Sequence, residues 1–359
     1  MQRRNALAAA FAAVSLMVCI AASPGPHATH TIHLPADAAA HPDAGTEWWY
    51  VTGHLADDSG HTYGFETTFF RFAGLQKVNP LVPFDTLYRT DVALTDETAH
   101  RFDASAAYAA PLTGTVVSTT AFDVRAGTLA MSMQPGDTYS IQGHTAKGSV
   151  VSLTATPDRP AMLVGGGYIP FGDGGSYYYS YTHMRASGTL TISGRTITVH
   201  GASWMDHQWG RWSTRSVTGW TWMGVQLDDG MTVDLAVGRT HTGVAGDSGA
   251  TALLPDNRQV TVTAVTISPL GIWRSPRTGT TYPSGWHVVV PSLRLDLIVH
   301  PTVRDQEVVD TNVLVHKSYW EGSCTVTGTR GGRSVTGKSY TELVGYDAMG
   351  VGRGSPSTP

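Results

Sequence analysis

Alternation of apolar and polar residues predicts strands over most of the chain. In "TYGFETTFFRF", residues 62–72, a two-residue period places Tyr63, Phe65 and Phe69 on one face. The other face carries Glu66, Thr68 and Phe70, so this strand presents a carboxylate on the side opposite Tyr63, Phe65 and Phe69. Helical periodicity is almost absent, and strands recur at short intervals between glycine-rich turns, which favours an all-β fold of sandwiches or barrels.

Two further segments follow the same period. "GMTVDLAVGR", residues 230–239, is a strand with Thr232 and Asp234 on one face and Val233 and Leu235 on the other. "GTLTISGRTITVHGASWMDH" is a hairpin whose turn is "SGR", because β-branched residues precede and follow it. A weak echo between "WWYVTGHLADDSGHTYGFETTFF" and "WTWMGVQLDDGMTVDLAVGR" suggests two similar units, the second beginning near Gly219.

Length and composition limit the choice of function. A chain of 359 residues suggests two domains, and 40 glycines with little Glu or Lys favour strands and turns. The net charge is −4, with only 24 Lys and Arg residues and no basic patch. We therefore expect no nucleic-acid partner.

The first residues have the features of an export signal. Arg3 and Arg4 precede an apolar run from residue 6 to residue 22 that is shorter than a membrane span, and small residues and Pro follow. Val18 before Cys19 makes a poor lipoprotein signal, so we expect export to the periplasm or the exterior without a lipid anchor. The mature chain then keeps only Cys324, and no intrachain disulfide can form.

The first predicted strand begins with an unusual group of residues, Glu47, Trp48, Trp49 and Tyr50. Alternation sends Trp48 and Tyr50 to one side and Trp49 to the other. One side fills a core, and the other lines a neighbouring surface. We interpret the stretch as mainly structural, with a pocket wall as the alternative.

The densest group of reactive side chains is "GASWMDHQWGRW", residues 201–212. It holds Asp206 and His207, which can act as acid or base, together with Trp204 and Trp209, whose faces can stabilise a cation. A tight corner filled by indoles, with His207 bonded to the main chain, is an equally good interpretation from the residues alone.

Asp234 lies in the middle of an otherwise apolar strand. If the side chain points inward, burial raises its pKa and keeps it partly protonated near neutral pH, as a proton donor requires. The alternative is a solvent-facing carboxylate or an ion pair with an arginine. Glu47 and Glu66 have the same ambiguity, with Arg71 as an obvious counter-ion.

No cofactor or metal motif is present. There is no His-Glu-x-x-His sequence, no pair of cysteines for zinc and no phosphate-binding loop followed by a helix. We therefore expect neither an organic cofactor nor a metal. A metal held by distant residues such as His183, His207 and His241 is the alternative left open.

Six segments together resemble the AttH/carotenoid 1,2-hydratase (CrtC-like) family of lipocalin-like proteins. They are "EWWYVTGHL", "YGFETTFFR", "YYYSYTHM", "SWMDHQWG", "YPSGWHVVVP" and "YWEGSCTVTGTRGGRSVTGKSYTELVGY", and they extend over about residues 41–346. The resemblance is specific for the family and the fold and much less so for the reaction. The family contains hydratases of carotenoids and of a prenylated isoflavonoid, and also pericyclases.

The resemblance implies an all-β chain with two tandem lipocalin-like (calycin) barrels packed side by side and a pocket near their junction. We expect a signal peptide over residues 1–28, a linker over 29–45, one barrel over 46–215, a second over 216–350 and a tail over 351–359.

The resemblance also implies site residues. A His-x-Trp pair implicated in catalysis corresponds to His207 and Trp209, and the Asp of a later Tyr-x-Asp pair corresponds to Asp234. The Tyr of that pair falls on Thr232, a departure from the family pattern. Asp234 would protonate the alkene, Trp209 would face the resulting cation, and His207 would position the water. The expected substrate-contacting residues are Trp204, Asp206, Glu66, Trp222 and Thr232.

The expected function is therefore that of an exported hydratase-type lyase that adds water to an isoprenoid-type or other apolar alkene. Two alternatives use the same pocket: a carrier of a small apolar ligand without catalysis, and a pericyclase or cyclase of a polyene. A loose association with a membrane surface and the oligomeric state are left open.

Overall fold

The computed structural model describes residues 30–78, 80–111, 114–171, 174–212, 217–240, 243–310 and 318–346. Two large antiparallel sheets contain most of these residues, and the predicted all-β fold is confirmed. The helical elements within the described ranges are helix α1 (Leu75–Val78) and two short 3-10 segments, Ala36–Ala38 and Pro291–Leu293. The predicted signal peptide lies outside the described residues.

The first sheet has 12 strands in the order β4-β3-β2-β1-β12-β11-β9-β8-β7-β6-β5, with β10 paired to β11. Its strands are β1 (Thr46–Ala56), β2 (Thr62–Ala73), β3 (Thr86–Asp96), β4 (Arg101–Ala109), β5 (Val116–Val117), β6 (Asp123–Ala126), β7 (Leu129–Gln134), β8 (Thr138–His144), β9 (Val150–Pro157), β10 (Met162–Phe171), β11 (Gly174–Ile192) and β12 (Arg195–Arg211).

This sheet curls around an apolar core and forms barrel one. Trp49, Phe65, Phe69 and Tyr139 are among the fully buried side chains inside it. The predicted face of β2 is therefore confirmed, since Tyr63, Phe65 and Phe69 point into the core. The β11–β12 hairpin is confirmed as well, with Ile192 paired to Arg195 across the turn.

The second sheet has 10 strands in the order β16-β15-β14-β13-β24-β23-β21-β20-β17, with β22 paired to β23. Its strands are β13 (Gly219–Leu227), β14 (Thr232–Thr240), β15 (Gly243–Leu253), β16 (Gln259–Val262), β17 (Thr266–Pro269), β20 (Trp286–Val290), β21 (Leu295–Pro301), β22 (Glu307–Val308), β23 (Tyr319–Arg330) and β24 (Arg333–Val344). Strands β18 (Ile272–Arg274) and β19 (Thr281–Pro283) form a separate two-stranded sheet.

The second sheet encloses its own core and forms barrel two. Val233 and Leu235 point into it with Trp286 and Trp320, as the two-residue period of β14 predicts. Cys324 is also buried in this core as a free thiol.

Residues 30–45 pack against barrel one, whereas the sequence analysis treats 29–45 as a linker. Ala38, Ala40 and Ala44 are buried in the core of that barrel. The indole Nε1 of Trp49 donates a hydrogen bond of 3.0 Å to the Ala38 carbonyl. Short alanine side chains fit closely against the barrel wall, a property that composition alone does not reveal. We refer to residues 30–45 as the N-terminal segment.

The outer faces of the two sheets pack against each other at a surface that we call the junction. Hydrogen bonds cross it from Tyr50 to Glu321 (2.9 Å) and from Tyr319 to Asp91 (2.7 Å). The barrels approach closely at Gly64, where an added Cβ would lie 2.8 Å from Ser323 Cβ. The junction is therefore a tightly packed surface that contains ionisable groups.

Arg71 holds the N-terminal segment against barrel one. Its guanidinium donates to the main-chain carbonyls of His41, Pro42 and Ala44 at 3.1 to 3.2 Å and lies 3.7 Å from Glu47. We expect Arg71→Met to lower the free energy of unfolding by roughly 2–4 kcal/mol, because the carboxylate loses a charge partner and the carbonyls lose their donors.

Urea denaturation measures this loss, and limited proteolysis should then cut within residues 30–45. Arg125→Met, at an exposed position on β6, is the matched control and should change stability by less than about 0.5 kcal/mol. Equal stability of the two variants would contradict the role given to Arg71.

Candidate functional site

Strand β12 carries the candidate residues on two opposite faces. His207 and Trp209 point into barrel one, where His207 stacks against Trp49 at 4.7 Å between ring centroids. Trp204 and Asp206 point to the junction. The cause is the two-residue period of a strand, which sends neighbouring side chains to opposite sides of the sheet.

The structure therefore does not bring His207, Trp209 and Asp234 to one cavity. Asp234 lies on the junction face of β14 and contacts Tyr178 and Trp222. The sequence and the family resemblance predict one pocket for all three. Asp234 instead lies beside Asp206 at the junction, and His207 and Trp209 lie on the opposite face of the sheet, inside barrel one.

A tyrosine hydroxyl links two buried carboxyl groups at the junction. Tyr178 Oη lies 2.8 Å from Asp206 Oδ2 and 2.7 Å from Asp234 Oδ2. Asp206 comes from barrel one and Asp234 from barrel two, and all three side chains are buried. We call Tyr178, Asp206 and Asp234 the Asp–Tyr–Asp group.

One phenol proton cannot serve both contacts. A tyrosine hydroxyl donates a single hydrogen bond, so the second contact requires a proton on one of the carboxyl groups. Asp234 Oδ2 already accepts a bond of 2.8 Å from Trp222 Nε1, so this oxygen also accepts from the phenol, and a proton on Asp234 would lie on Oδ1. Asp206 Oδ2 is then the protonated oxygen that donates to Tyr178.

The pKa values of the two acids agree with a shared proton. Burial raises the pKa of Asp206 well above its usual range, and the nearby charge of Asp234 raises it further. Burial also raises the pKa of Asp234 to about 6, against the hydrogen bonds from Tyr178 and Trp222 that lower it. The group therefore holds a dissociable proton near neutral pH.

The two indoles at the junction support these acids directly. Trp204 Nε1 donates to Asp206 Oδ1 at 2.6 Å, and Trp222 Nε1 donates to Asp234. The indoles meet edge to face, 6.0 Å apart. Gly224 makes room for them, because a Cβ there would lie 2.8 Å from the Trp222 ring and 3.2 Å from Trp204.

Glu66 belongs to a second acidic group at the junction. It is fully buried on β2 and accepts a hydrogen bond from Thr68. Burial raises the pKa of Glu66, and the charge of Asp91 adds to that shift. Burial also raises the pKa of Glu321, and the charges of Glu342 and Glu66 add to it. Trp220 donates to a third member, Glu342, at 2.6 Å, and burial raises the pKa of that carboxyl to about 7.

Thr232 lines an open cleft between the barrels with a volume of about 750 Å³. Its hydroxyl donates to Thr182 Oγ1 at 2.7 Å, and Gln226 donates to the Thr182 carbonyl at 2.8 Å. On β14, Thr232 and Asp234 share one face and are separated by about 7 Å of strand. Thr232 therefore lines the cleft, and Asp234 of the Asp–Tyr–Asp group is two residues further along the same strand.

Inside barrel one, His207 lies in an ionic group of its own. Its Nε2 is 3.0 Å from Glu47 Oε1, and His41 Nδ1 is 2.7 Å from the same oxygen. Burial opposes the charge of Glu47, but the two imidazoles outweigh it and lower its pKa to about 2. Burial lowers the pKa of His207. These three residues could together hold a metal ion.

The alternative set of distant histidines does not assemble. His183 bonds to Asp158 at 2.8 Å beside the cleft, whereas His207 is inside barrel one. His241 lies outside the described residues.

Sequence reasoning missed Tyr178, Glu321 and Glu342. The available signal for Tyr178 was "YYYSYTHM", in which alternation places Tyr178 and Ser180 on one face. Ser180 pairs with Asp206 across β11 and β12 and donates to it at 2.5 Å. That register cannot be read from the sequence, so the partner of Asp206 could not be found.

Comparison with known proteins places the chain in a family. The sequence profile described as AttH-like matches residues 25–346. The chain belongs to the AttH-like family. The resemblance stated from the sequence is thereby confirmed.

Solved structures of similar proteins agree with this assignment. An AttH protein from Nitrosomonas europaea is 29% identical, with a TM-score of 0.79, and the match covers 90% of this chain and 99% of that one. Kievitone hydratase from Nectria haematococca is 17% identical, with a TM-score of 0.70, and covers 90% of this chain and 95% of its own. The second likeness shows a shared fold of tandem lipocalin-like barrels.

The comparison with curated proteins returns no significant match. Within the described ranges, no helix of this AttH-like protein has the length and hydrophobicity needed to cross a membrane.

The raised pKa of Asp234 makes stability depend on pH in a defined direction. An unfolded Asp has a pKa of about 3.9, and in the folded protein that of Asp234 is about 6. The folded state therefore binds the proton more tightly, and its stability falls as pH rises from about 4 to 6. We expect Asp234→Asn to gain roughly 1–3 kcal/mol over the wild type between pH 4 and 7.

Urea denaturation at several pH values measures this difference. Asp58→Asn, at an exposed turn position, is the control and should follow the wild-type pH profile. A parallel profile for Asp234→Asn would mean that Asp234 does not carry the shifted proton.

Proposed function

We propose that this AttH-like protein is a hydratase-type lyase that adds water to an apolar, isoprenoid-type alkene at the junction. One observation carries the proposal: the Tyr178 hydroxyl is held between the buried carboxyl groups of Asp206 and Asp234. Hydration of an alkene begins with proton transfer to carbon, and this step needs an acid that remains protonated near neutral pH. Few carboxyl groups meet that requirement outside a buried site.

In the proposed reaction, Asp234 gives its proton to the less substituted carbon of the double bond. A tertiary cation forms on the other carbon, and water adds to it. The proton released by that water returns to Asp234, so the net change is addition of H and OH across the double bond. Between these two steps, the Tyr178 hydroxyl donates to the carboxylate of Asp234 and stabilises it, because Asp206, Tyr178 and Asp234 form one hydrogen-bonded chain.

The indoles of Trp204 and Trp222 suit the cationic intermediate. Their N–H groups are bonded to the two acids, which fixes the rings beside the point of protonation. A desolvated contact between a cation and an indole contributes about 2 kcal/mol.

The tyrosine of the proposed machinery comes from a different strand than the family pattern suggests. The expected Tyr-x-Asp pair has Thr232 in place of the tyrosine. Tyr178, on β11, supplies a phenol to Asp234 from barrel one. The departure at Thr232 therefore does not deprive Asp234 of a phenol partner.

We give His207 and Trp209 a positioning role in this reaction. Both face the interior of barrel one, and they fix β12 by packing against Trp49 and His41. Glu66 belongs to the neighbouring acidic group, where we propose that it borders the substrate. Export, the absence of a nucleic-acid partner and the membrane contact left open by the sequence stay predictions.

A carrier function is the second candidate, and a different observation favours it. The cleft is lined by both barrels, but its lining does not include Tyr178, Asp206 or Asp234. A ligand held in the cleft alone would contact Thr232 and Gln226 without meeting the acids.

An isotope experiment tests the hydratase proposal. The purified protein is incubated with prenylated and acyclic terpenoid alkenes in water enriched in oxygen-18, and labelled tertiary alcohol is measured by mass spectrometry. We expect label with the wild type and a loss of about 10²- to 10⁴-fold in rate for Asp234→Asn. The wild-type rate should fall above about pH 6, where Asp234 loses its proton.

Asp158→Asn is the matched control, because Asp158 is a carboxylate of the cleft outside the Asp–Tyr–Asp group. It should retain the rate. The carrier function would be favoured if an apolar alkene bound with a stoichiometry of one and was recovered unchanged, without oxygen-18. Labelled alcohol at equal rates from Asp234→Asn and the wild type would exclude Asp234 as the acid.

A further inference from the structure

Three side chains inside barrel one present ligand atoms to a common point. His41 Nδ1, Glu47 Oε1 and His207 Nε2 all lie within 4.8 Å of one another. Glu47 and His207 are fully buried, and His41 enters from the N-terminal segment. This cluster lies on the opposite side of the sheet from the junction, and none of its ligand atoms takes part in the proposed proton transfer.

The hydrogen-bond donors and acceptors of this cluster are consistent with a bound cation. His41 Nδ1 faces Glu47 Oε1 at 2.7 Å, and His41 Nε2 faces Asp37 Oδ1 at 3.4 Å. A neutral imidazole has one N–H, so the two carboxylate contacts require either both N–H groups of an imidazolium or a metal ion on one of the nitrogens. His207 Nε2 adds a second imidazole nitrogen to the same Glu47 oxygen at 3.0 Å. A metal ion between the three atoms satisfies all of them.

The donor set is one that divalent transition metals prefer. Imidazole nitrogen and carboxylate oxygen bind Zn²⁺ at about 2.0–2.2 Å, which requires ligand atoms about 3.3 Å apart. The observed separations need only a small outward rotation of the two rings. Asp37 accepts from the other nitrogen of His41, as outer carboxylates do for metal-bound histidines.

The two imidazoles of the cluster are held in fixed orientations, as metal ligands require. Trp209 stacks on His41 at 3.9 Å between ring centroids, and Trp49 stacks on His207 at 4.7 Å.

Arg71 does not occupy the space between the three ligand atoms. It lies 3.7 Å from Glu47 Oε2, the oxygen that does not face the imidazole rings. Its donors are directed to main-chain carbonyls of the N-terminal segment. Glu47 Oε1 contacts the two imidazoles and also accepts a hydrogen bond of 3.0 Å from the main-chain N–H of His41.

We propose that His41, Glu47 and His207 bind one divalent transition-metal ion, which fastens the N-terminal segment to barrel one. The ion belongs to the class that imidazole and carboxylate ligands share, such as Zn²⁺, Co²⁺ or Ni²⁺. Since Glu47 and His207 lie on β1 and β12, the ion joins the segment to two paired strands of the barrel.

Metal binding to the full chain tests the proposal. Tag-free protein is treated with chelator, dialysed and titrated with Co²⁺, whose visible absorption reports coordination by nitrogen and oxygen. We expect one equivalent to bind and Zn²⁺ to raise the unfolding temperature, because an ion that binds only the folded state stabilises it. A wild type that binds no stoichiometric Co²⁺ and unfolds at the same temperature with Zn²⁺ overturns the proposal.

Variants locate the site. His41→Phe keeps an aromatic ring to stack on Trp209 but removes both nitrogens, so it should weaken Co²⁺ binding by at least about tenfold. His183→Phe controls for weak binding at surface histidines and should bind like the wild type. Unchanged binding by His41→Phe, with the same circular dichroism as the wild type, also overturns the proposal.

Discussion

The two-residue period of β12 determines which reactive side chains can meet in this protein. Asp206 and His207 are neighbours in sequence, yet one faces the junction and the other the interior of barrel one. A one-residue slip of this strand would exchange their environments. Pairing with β1 and β11 on both sides fixes the register, because Trp49 and Tyr179 lie opposite His207. Two chemically distinct sites therefore lie on the two faces of a single strand.

The junction concentrates acids where water does not reach. Burial of an ionised carboxylate is costly, and it is tolerated here because hydroxyl and indole donors replace the lost water. Asp206 accepts bonds from Ser180 and Trp204, and Asp234 accepts one from Trp222. These bonds offset part of the desolvation, and the remainder appears as raised pKa values. A proton donor of this kind thus lowers the stability of the fold at neutral pH.

The sequence predicts the faces of strands well and their partners poorly. The inward faces of β2 and β14 follow from periodicity, as does the division of Trp48 and Tyr50 from Trp49. The family resemblance adds the paired barrels, which periodicity alone cannot give.

The contacts that make the candidate site depend on register and on long-range packing. Tyr50 and Glu321 bond across 271 residues of sequence. No local pattern contains that information, and the same is true of Tyr178 with Asp234. The N-terminal segment escaped prediction for a different reason. Its alanines have no period, and small side chains carry little hydrophobic signal even where they are fully enclosed.

Neither barrel supplies the whole Asp–Tyr–Asp group: Tyr178 and Asp206 come from one and Asp234 from the other. A single layer of solvent between the halves would hydrate both carboxyls and restore their ordinary acidity. Acid strength is thus a property of the assembled pair, which neither half possesses alone. Any motion that opens the interface to admit a ligand would also hydrate the two carboxyl groups and lower their pKa values, and closure would raise the pKa values again.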